Sequence, residues 1–265
     1  MTRRILLTFL CALILSAGLR SGFGEDESAK KSVYLIGNSL TWDTVPSRLD
    51  GNVQWHVDCG KSLPFMFANP EEPCVKTSTL WPKALKENRY DILSLQTHYG
   101  ATLAEDVETI SSWIEMQPQA VVVIHTGWAH HAKRKAEYSS KDATGKMQHS
   151  PVYVQELLKA LRKKYPARKF RQTHAIDLLA RIASDIEQGK SPLKDLVELH
   201  RDKIHMKLDS GRYLMHNAMR HALGQPASNR GFEKLDPKLK QYLDGILKTL
   251  PKTDGVEIDE AEGDD

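Results

Sequence analysis

Ala120-Val121-Val122-Val123-Ile124 is an apolar, mostly β-branched run with no polar face. A strand of this kind is covered on both sides, which predicts a central strand of a parallel sheet between two helix layers. Other segments fit that frame. Ser32–Ile36 reads as a first strand, residues 53–57 as a second by alternation, and residues 90–95 as a third. Residues 169–173 form a weaker fifth strand, basic enough for a sheet edge. Between them lie helical spacings. Leu103, Val107, Ile110, Trp113 and Ile114 share one face of a helix over 103–116. Residues 82–88, 152–165, 176–186, 193–199, 210–223 and 238–250 also read as helices, with Pro82 suited to a first turn and Asp209 to a cap. Thr44 and Pro46 predict a short helix start. Residues 64–79 and 132–149 lack a period and read as loops. Alternating strands and helices predict an α/β class: a three-layer α/β/α sandwich on a mostly parallel five-stranded sheet.

Such a sheet binds ligands at the carboxyl ends of its strands. The strands end in small or polar residues, which predicts that Ser39, Gly60, Gln96, His98, His125 and Trp128 gather at one edge.

The first 24 residues have the pattern of a secretory signal peptide: Arg3 and Arg4, then an apolar run from Ile5 to Gly18, then small residues. Cleavage is expected after Gly24, with Gly18 as the other site and an uncleaved anchor as the alternative reading. Removing residues 1–24 takes away Arg3, Arg4 and Arg20 and no acid, which lowers Lys+Arg from 37 to equal the 34 Asp+Glu. The net charge of +3 therefore belongs to the leader, and no basic stripe with interleaved aromatics argues for nucleic acid. No membrane association is expected after cleavage, and export to the periplasm or medium is. Residues 25–252 make one domain, and residues 253–265 an acidic tail expected to be disordered. The oligomeric state is not readable from the chain. Cys59 and Cys74 remain after cleavage; in an exported chain they are a disulfide candidate, the alternative being two separate thiols.

A serine nucleophile needs a base, a group that orients the base, and donors for the oxyanion. Val33-Tyr34-Leu35-Ile36 runs into Gly37-Asn38-Ser39, a strand delivering a hydroxyl to the sheet edge. Asp202-Lys203-Ile204-His205 puts an acid three residues before a histidine, close enough to fold back onto its ring. The plain alternatives are a turn at Gly37–Ser39 and a solvated Asp beside a surface His. His125, His130 and His131 form a His-rich segment, but no carboxylate or cysteine pattern completes a metal site. Trp128 either walls a substrate site or plugs a loop.

These blocks, in this order, resemble the SGNH (GDSL-like) hydrolase superfamily. Gly37-Asn38-Ser39-Leu40 matches its first block with Asn for Asp, and Asp202 with His205 matches its last. Gly60 matches the glycine whose backbone N–H serves the oxyanion. The resemblance implies a flavodoxin-like fold and ester hydrolysis, often of acylated carbohydrates, by Ser39, His205 and Asp202, with no cofactor. The expected substrate is a small acyl ester, an acetyl ester by analogy with the family, or an acylated glycan. The third block departs: the strand ends Leu95-Gln96-Thr97-His98 without the family's asparagine. Gln96 is the favoured replacement donor, because the sheet fixes its position and an amide donates at every working pH; His98 is the alternative. A non-catalytic carbohydrate-binding protein on the same fold, and a metal-dependent hydrolase using His125 to His131, are the competing readings.

Overall fold

The computed structural model describes residues 30–253. The expected signal peptide of residues 1–24 and the expected acidic tail beyond Thr253 lie outside them. The described chain alternates strand and helix. Its strands are β1 (Ser32–Gly37), β2 (Asn52–Val57), β3 (Ile92–Gln96), β4 (Val121–His125) and β5 (Phe170–Gln172). They form one five-stranded sheet in the order β2-β1-β3-β4-β5. Every pairing is parallel, so the sheet is wholly and not merely mostly parallel.

The period-2 alternation of strand side chains divides the core into two layers. Tyr34, Ile36, Leu93, Leu95, Val122 and Ile124 pack on one face. There they meet α2 (Leu63–Ala68), α3 (Trp81–Glu87), α4 (Leu103–Met116) and α6 (Pro151–Lys164). Val33, Leu35, Ile92 and Val123 point the other way, onto Met219 and Ala222 of α8 (Ser210–Ala222). Beyond α8, a further apolar cluster joins α1 (Ser39–Asp43), α7 (Ala175–Glu187), α8 and α9 (Pro237–Leu247). Val122, Val123 and Ile124 are fully buried, as a strand covered on both faces demands.

Some local expectations change. The segment after residue 63 opens with α2, whose Leu63 and Met66 are buried; fewer than two turns are too short to display a period. The polar stretch 132–149 contains α5 (Arg134–Tyr138). Residues 196–199 form a 3₁₀ turn with a capping box from Asp195, not a longer helix. Thr44 ends a helix where a start was expected: α1 begins at Ser39, capped by Asn38, and a 3₁₀ turn over Pro46–Arg48 follows.

Cys59 and Cys74 are joined in a disulfide across 15 positions, with Cα atoms 5.6 Å apart. It ties the turn after β2 to the following excursion, where Cys74 N–H also donates to Val57 O at 3.0 Å. In the chain-entropy picture a loop of this size contributes about 3 kcal/mol. Urea unfolding of the whole chain with and without reductant should show a lower midpoint when reduced, corresponding to an unfolding free energy smaller by that amount. An unchanged midpoint would mean that the bridge leaves stability untouched.

Candidate active site

The strand order reverses between β1 and β3: β2 lies to one side of β1, while β3, β4 and β5 run to the other. Ile36 pairs with Leu95 in register, so the segments after β1 and β3 leave the sheet side by side. A crevice forms outside the carboxyl ends at such a reversal. Gly37-Asn38-Ser39 and Gln96-Thr97-His98 border it.

Ser39 is the first residue of α1, and its Oγ lies 2.9 Å from His205 Nε2. His205 Nδ1 lies 2.8 Å from Asp202 Oδ2. The three side chains thus form one hydrogen-bonded line, although 166 positions separate Ser39 from His205. The loop that carries Asp202 and His205 is pinched shut by an antiparallel bridge between His200 and Met206. Asp202 Oδ1 accepts the N–H groups of Ile204 at 2.9 Å and His205 at 2.8 Å. Desolvation alone would raise the Asp202 carboxyl. The His205 and Ile204 N–H groups, joined by the His205 ring, outweigh it and hold Asp202 well below the usual carboxylate range. Asp202 is therefore charged well into acid, the state needed to fix the imidazole and stabilise an imidazolium.

Asp43 anchors this loop to the serine. It lies four residues after Ser39, one turn on, and its carboxylate is fully buried. Its partners are the N–H of Met206 at 2.7 Å, Arg201 at 3.1 Å, and Arg212 of α8 at 2.8 Å. Arg201 also donates to Met206 O at 2.7 Å. Gly211 lets α8 come close, since a Cβ there would meet Leu199 O at 2.1 Å. Sequence reading missed Asp43, Arg201 and Arg212; their signal was a carboxylate at i+4 from the serine and a guanidinium beside Asp202.

Asn38 performs two tasks. Its Oδ1 caps α1 by accepting from Leu40 N at 2.9 Å, and its Nδ2 donates to Lys61 O at 3.3 Å. The amide joins the serine turn to the turn that carries Gly60, whose φ is +70°. Neither the Ser39 nor the Gly60 N–H is paired with a protein acceptor. An aspartate at 38 would keep the cap and lose the donor, leaving its charge against the Lys61 carbonyl. Asn38→Asp should lower kcat on a test ester by roughly tenfold, since loosening one oxyanion donor costs less than removing it. Steady-state kinetics check this; an unchanged kcat would free Gly60 from dependence on Asn38.

Gln96 does not take the position expected of an oxyanion donor. Its side chain is fully buried beneath the serine turn. Its Oε1 accepts from Asn38 N at 3.0 Å, Thr41 N at 3.0 Å and Thr41 Oγ1 at 2.8 Å, and its Nε2 donates to Thr97 O at 3.2 Å. The amide oxygen, with three donors on it, holds the turn. Gly37 makes this possible, because a Cβ there would stand 2.8 Å from Gln96 Cβ.

His98 does lie beside the site, in the wrong protonation form for a donor. Its Nδ1 is 3.3 Å from His149 Nε2, and His149 Nδ1 is 3.0 Å from Thr126 O. A carbonyl only accepts, so His149 carries its proton on Nδ1 and presents a bare Nε2. His98 must then donate from Nδ1, which leaves its own Nε2 without a proton. Burial, with the neighbouring His205 charge adding to it, pushes His98 down to about 4; burial and His98 push His149 down to about 3. Both rings are neutral near pH 7. His149 sits in the polar segment read as a loop and was not singled out.

Trp128 is no substrate wall. It is fully buried among Leu40, Met206 and Tyr213, and its indole N–H donates to Ile204 O at 2.6 Å. Its large apolar ring fills the core under the loop that carries Asp202 and His205. His125 is turned inward onto Thr173 Oγ1 at 2.9 Å, while His131 N–H holds Lys203 O at 2.9 Å with the His130 ring alongside. Among the described residues, no group of three or more His, Cys, Asp or Glu side chains is placed to hold a metal ion.

No protein-family model matches the chain, and none of the curated proteins compared with it matches either. The chain is similar to several solved structures, all at low identity. One is a putative GDSL-like lipase from Parabacteroides merdae, with 12% identity over 74% of this chain and 96% of that one, TM-score 0.40. Another is the salicylyl-acyltransferase SsfX3 from a tetracycline biosynthetic pathway, with 11% identity over 75% of this chain and 55% of that one, TM-score 0.43. A family two carbohydrate esterase from Cellvibrio japonicus is similar at 10% identity over 54% of this chain and 51% of that one, TM-score 0.33.

Proposed function

We propose that the chain is an exported serine esterase of the SGNH type that removes acyl groups, acetyl foremost, from small esters or acylated glycans. The observation that carries this reading is the continuous line from Ser39 Oγ through His205 to Asp202. In it, Ser39 Oγ attacks the acyl carbonyl while its proton passes to His205 Nε2. Asp202 stabilises the imidazolium. The carbonyl oxygen becomes an oxyanion facing the Ser39 and Gly60 N–H groups. Its collapse breaks the bond to the alcohol, which leaves with the proton from His205. Water then repeats the sequence on the acyl-enzyme, giving the acid and free Ser39. An alcohol in place of water would make the same acyl-enzyme an acyltransferase intermediate. The sequence of steps balances without a cofactor.

The site is open: the Asp202 and His205 side chains are 48% and 28% exposed. Two clefts of about 470 and 500 Å³ lie elsewhere, between α5 and α7 and between α8 and α9. An open crevice favours a hydrated substrate over a long acyl chain, which needs an apolar tunnel to bury it. The disulfide favours an oxidising compartment, in line with export.

A fluorophosphonate probe tests the reading directly. It should label one peptide, on Ser39, and the Ser39→Ala protein should stay unlabelled. Absence of labelling, together with no hydrolysis across acetylated glycans and nitrophenyl esters, would favour the non-catalytic carbohydrate-binding alternative.

A further inference from the structure

We propose that His98 Nε2 is a hydroxyl-binding point beside the triad, so that the preferred esters carry a free O–H on the alcohol part, near the acylated oxygen. This rests on the esterase reading and narrows its substrate class.

The starting point is the fixed direction of the hydrogen-bond chain. Thr126 O, His149 and His98 each have one permitted role, and the chain ends in a lone pair on His98 Nε2. That nitrogen has no protein partner and is not among the buried atoms deprived of one, so it keeps access to solvent although the residue as a whole is only 7% exposed. His98 follows two residues after Gln96, the last residue of β3, at the carboxyl edge of the sheet, and its ring is near enough to His205 for the two to interact. A lone pair aimed there repels an oxyanion, which excludes a share in the oxyanion hole. It attracts an O–H.

The arrangement is also rigid. Glu137 accepts from Tyr99 O–H at 2.8 Å and from the His149 backbone N–H at 2.9 Å, fixing both neighbours of the His98 ring. Gly127, at φ +59°, leaves room for the His149 ring, since a Cβ there would stand 2.8 Å from His149 Cε1. Several buried groups are thus arranged to hold one acceptor in one tautomer at the mouth of the site. Proton transfer is not its task, because a ring held so far down in basicity is a poor base near neutrality. Acceptance of a hydrogen bond needs only the lone pair.

A site built to pair with a hydroxyl discriminates against an analogue that lacks it, because its own polar group is left unpaired. The test compares glycerol monoacetate with its di-O-methyl ether, which keeps the ester and loses both O–H groups. The wild-type enzyme should prefer the monoacetate in kcat/KM by about tenfold or more. His98→Leu should bring that ratio close to one, and His98→Gln, which restores an acceptor oxygen, should recover part of it. A ratio that survives in His98→Leu would overturn the proposal.

A second measurement does not depend on turnover. In the Ser39→Ala protein with ¹⁵N-labelled histidine, long-range proton–nitrogen correlation at neutral pH should show His98 protonated on Nδ1 and bare on Nε2. Glycerol monoacetate should move the Nε2 resonance, and the dimethyl ether should leave it in place. A proton on Nε2, or no response to the monoacetate, would refute the hydroxyl-binding role whatever the activity. Correct nitrogen behaviour in a wild-type chain that hydrolyses neither ester would instead sink the esterase reading and leave a hydroxyl-binding site.

Discussion

Ser39→Ala and His205→Ala should each lower kcat on a simple acetate ester by roughly four to six orders of magnitude. The double variant should be no worse than either single one, because nucleophile and base act as a unit. The geometry explains the severity. Ser39 Oγ has one base within reach, His205 Nε2 at 2.9 Å, and the neutral His98 is too weak to replace it. Asp202→Asn should retain more activity, with a loss of roughly a hundredfold to ten-thousandfold. An asparagine can still accept the Ile204 and His205 N–H groups that close the loop, but its amide cannot hold the protonated His205 Nδ1. Solvent also reaches Asp202, which softens the loss of its charge. Because Asp202 stays ionised far into acid, its own titration should leave no limb in the pH–rate profile near neutrality. Circular dichroism should show folded proteins throughout, since Ser39 and His205 contribute little to the core. A His205→Ala enzyme keeping a tenth of wild-type kcat would end the assignment.

How much of this could be read beforehand depends on whether the signal is local. The α/β layering was legible because runs such as Val121–Ile124 and helical faces such as Leu103–Ile114 carry their own periods. Ser39 was legible from its strand-to-turn setting, and the Asp202–His205 pair from a spacing of three. What failed was the direction of side chains at strand ends. Gln96 closes an apolar strand, and from the sequence its amide fits the crevice as well as the space under the neighbouring turn. The missing Cβ at Gly37 decides between them, and that role is visible only once β1 and β3 are side by side. His98 looked like a possible donor because its tautomer is set by His149 and Thr126, distant in sequence and without periodicity. Trp128 followed its bulk into the core. In each case a long-range contact settled what a short motif left open.

The loop that carries Asp202 and His205 depends most on a residue outside the Ser39–His205–Asp202 line. Asp43→Ala should lower stability by about 3 kcal/mol, toward the lower end for a broken buried ion pair, because Arg201 and Arg212 both retain some solvent. It should also lower kcat by roughly a hundredfold, with KM little changed. The argument is mechanical. Asp43 shares the single helical turn that begins at Ser39, and its carboxylate holds the Met206 N–H, one residue beyond His205. The same carboxylate draws Arg201 and Arg212, from before and after His205 in the chain, onto that point. Without it, a shift of the order of 1 Å between Ser39 Oγ and His205 Nε2 suffices for that loss of rate. Asp43→Asn is the sharper test, since it keeps the volume and one acceptor oxygen while turning an N–H₂ group toward donors. It should fall in both urea midpoint and kcat, measured well below its own unfolding transition. If Asp43→Asn matched wild type in both, the loop would be held by Trp128 and the His200–Met206 bridge alone, and Asp43 would have no part in placing the base.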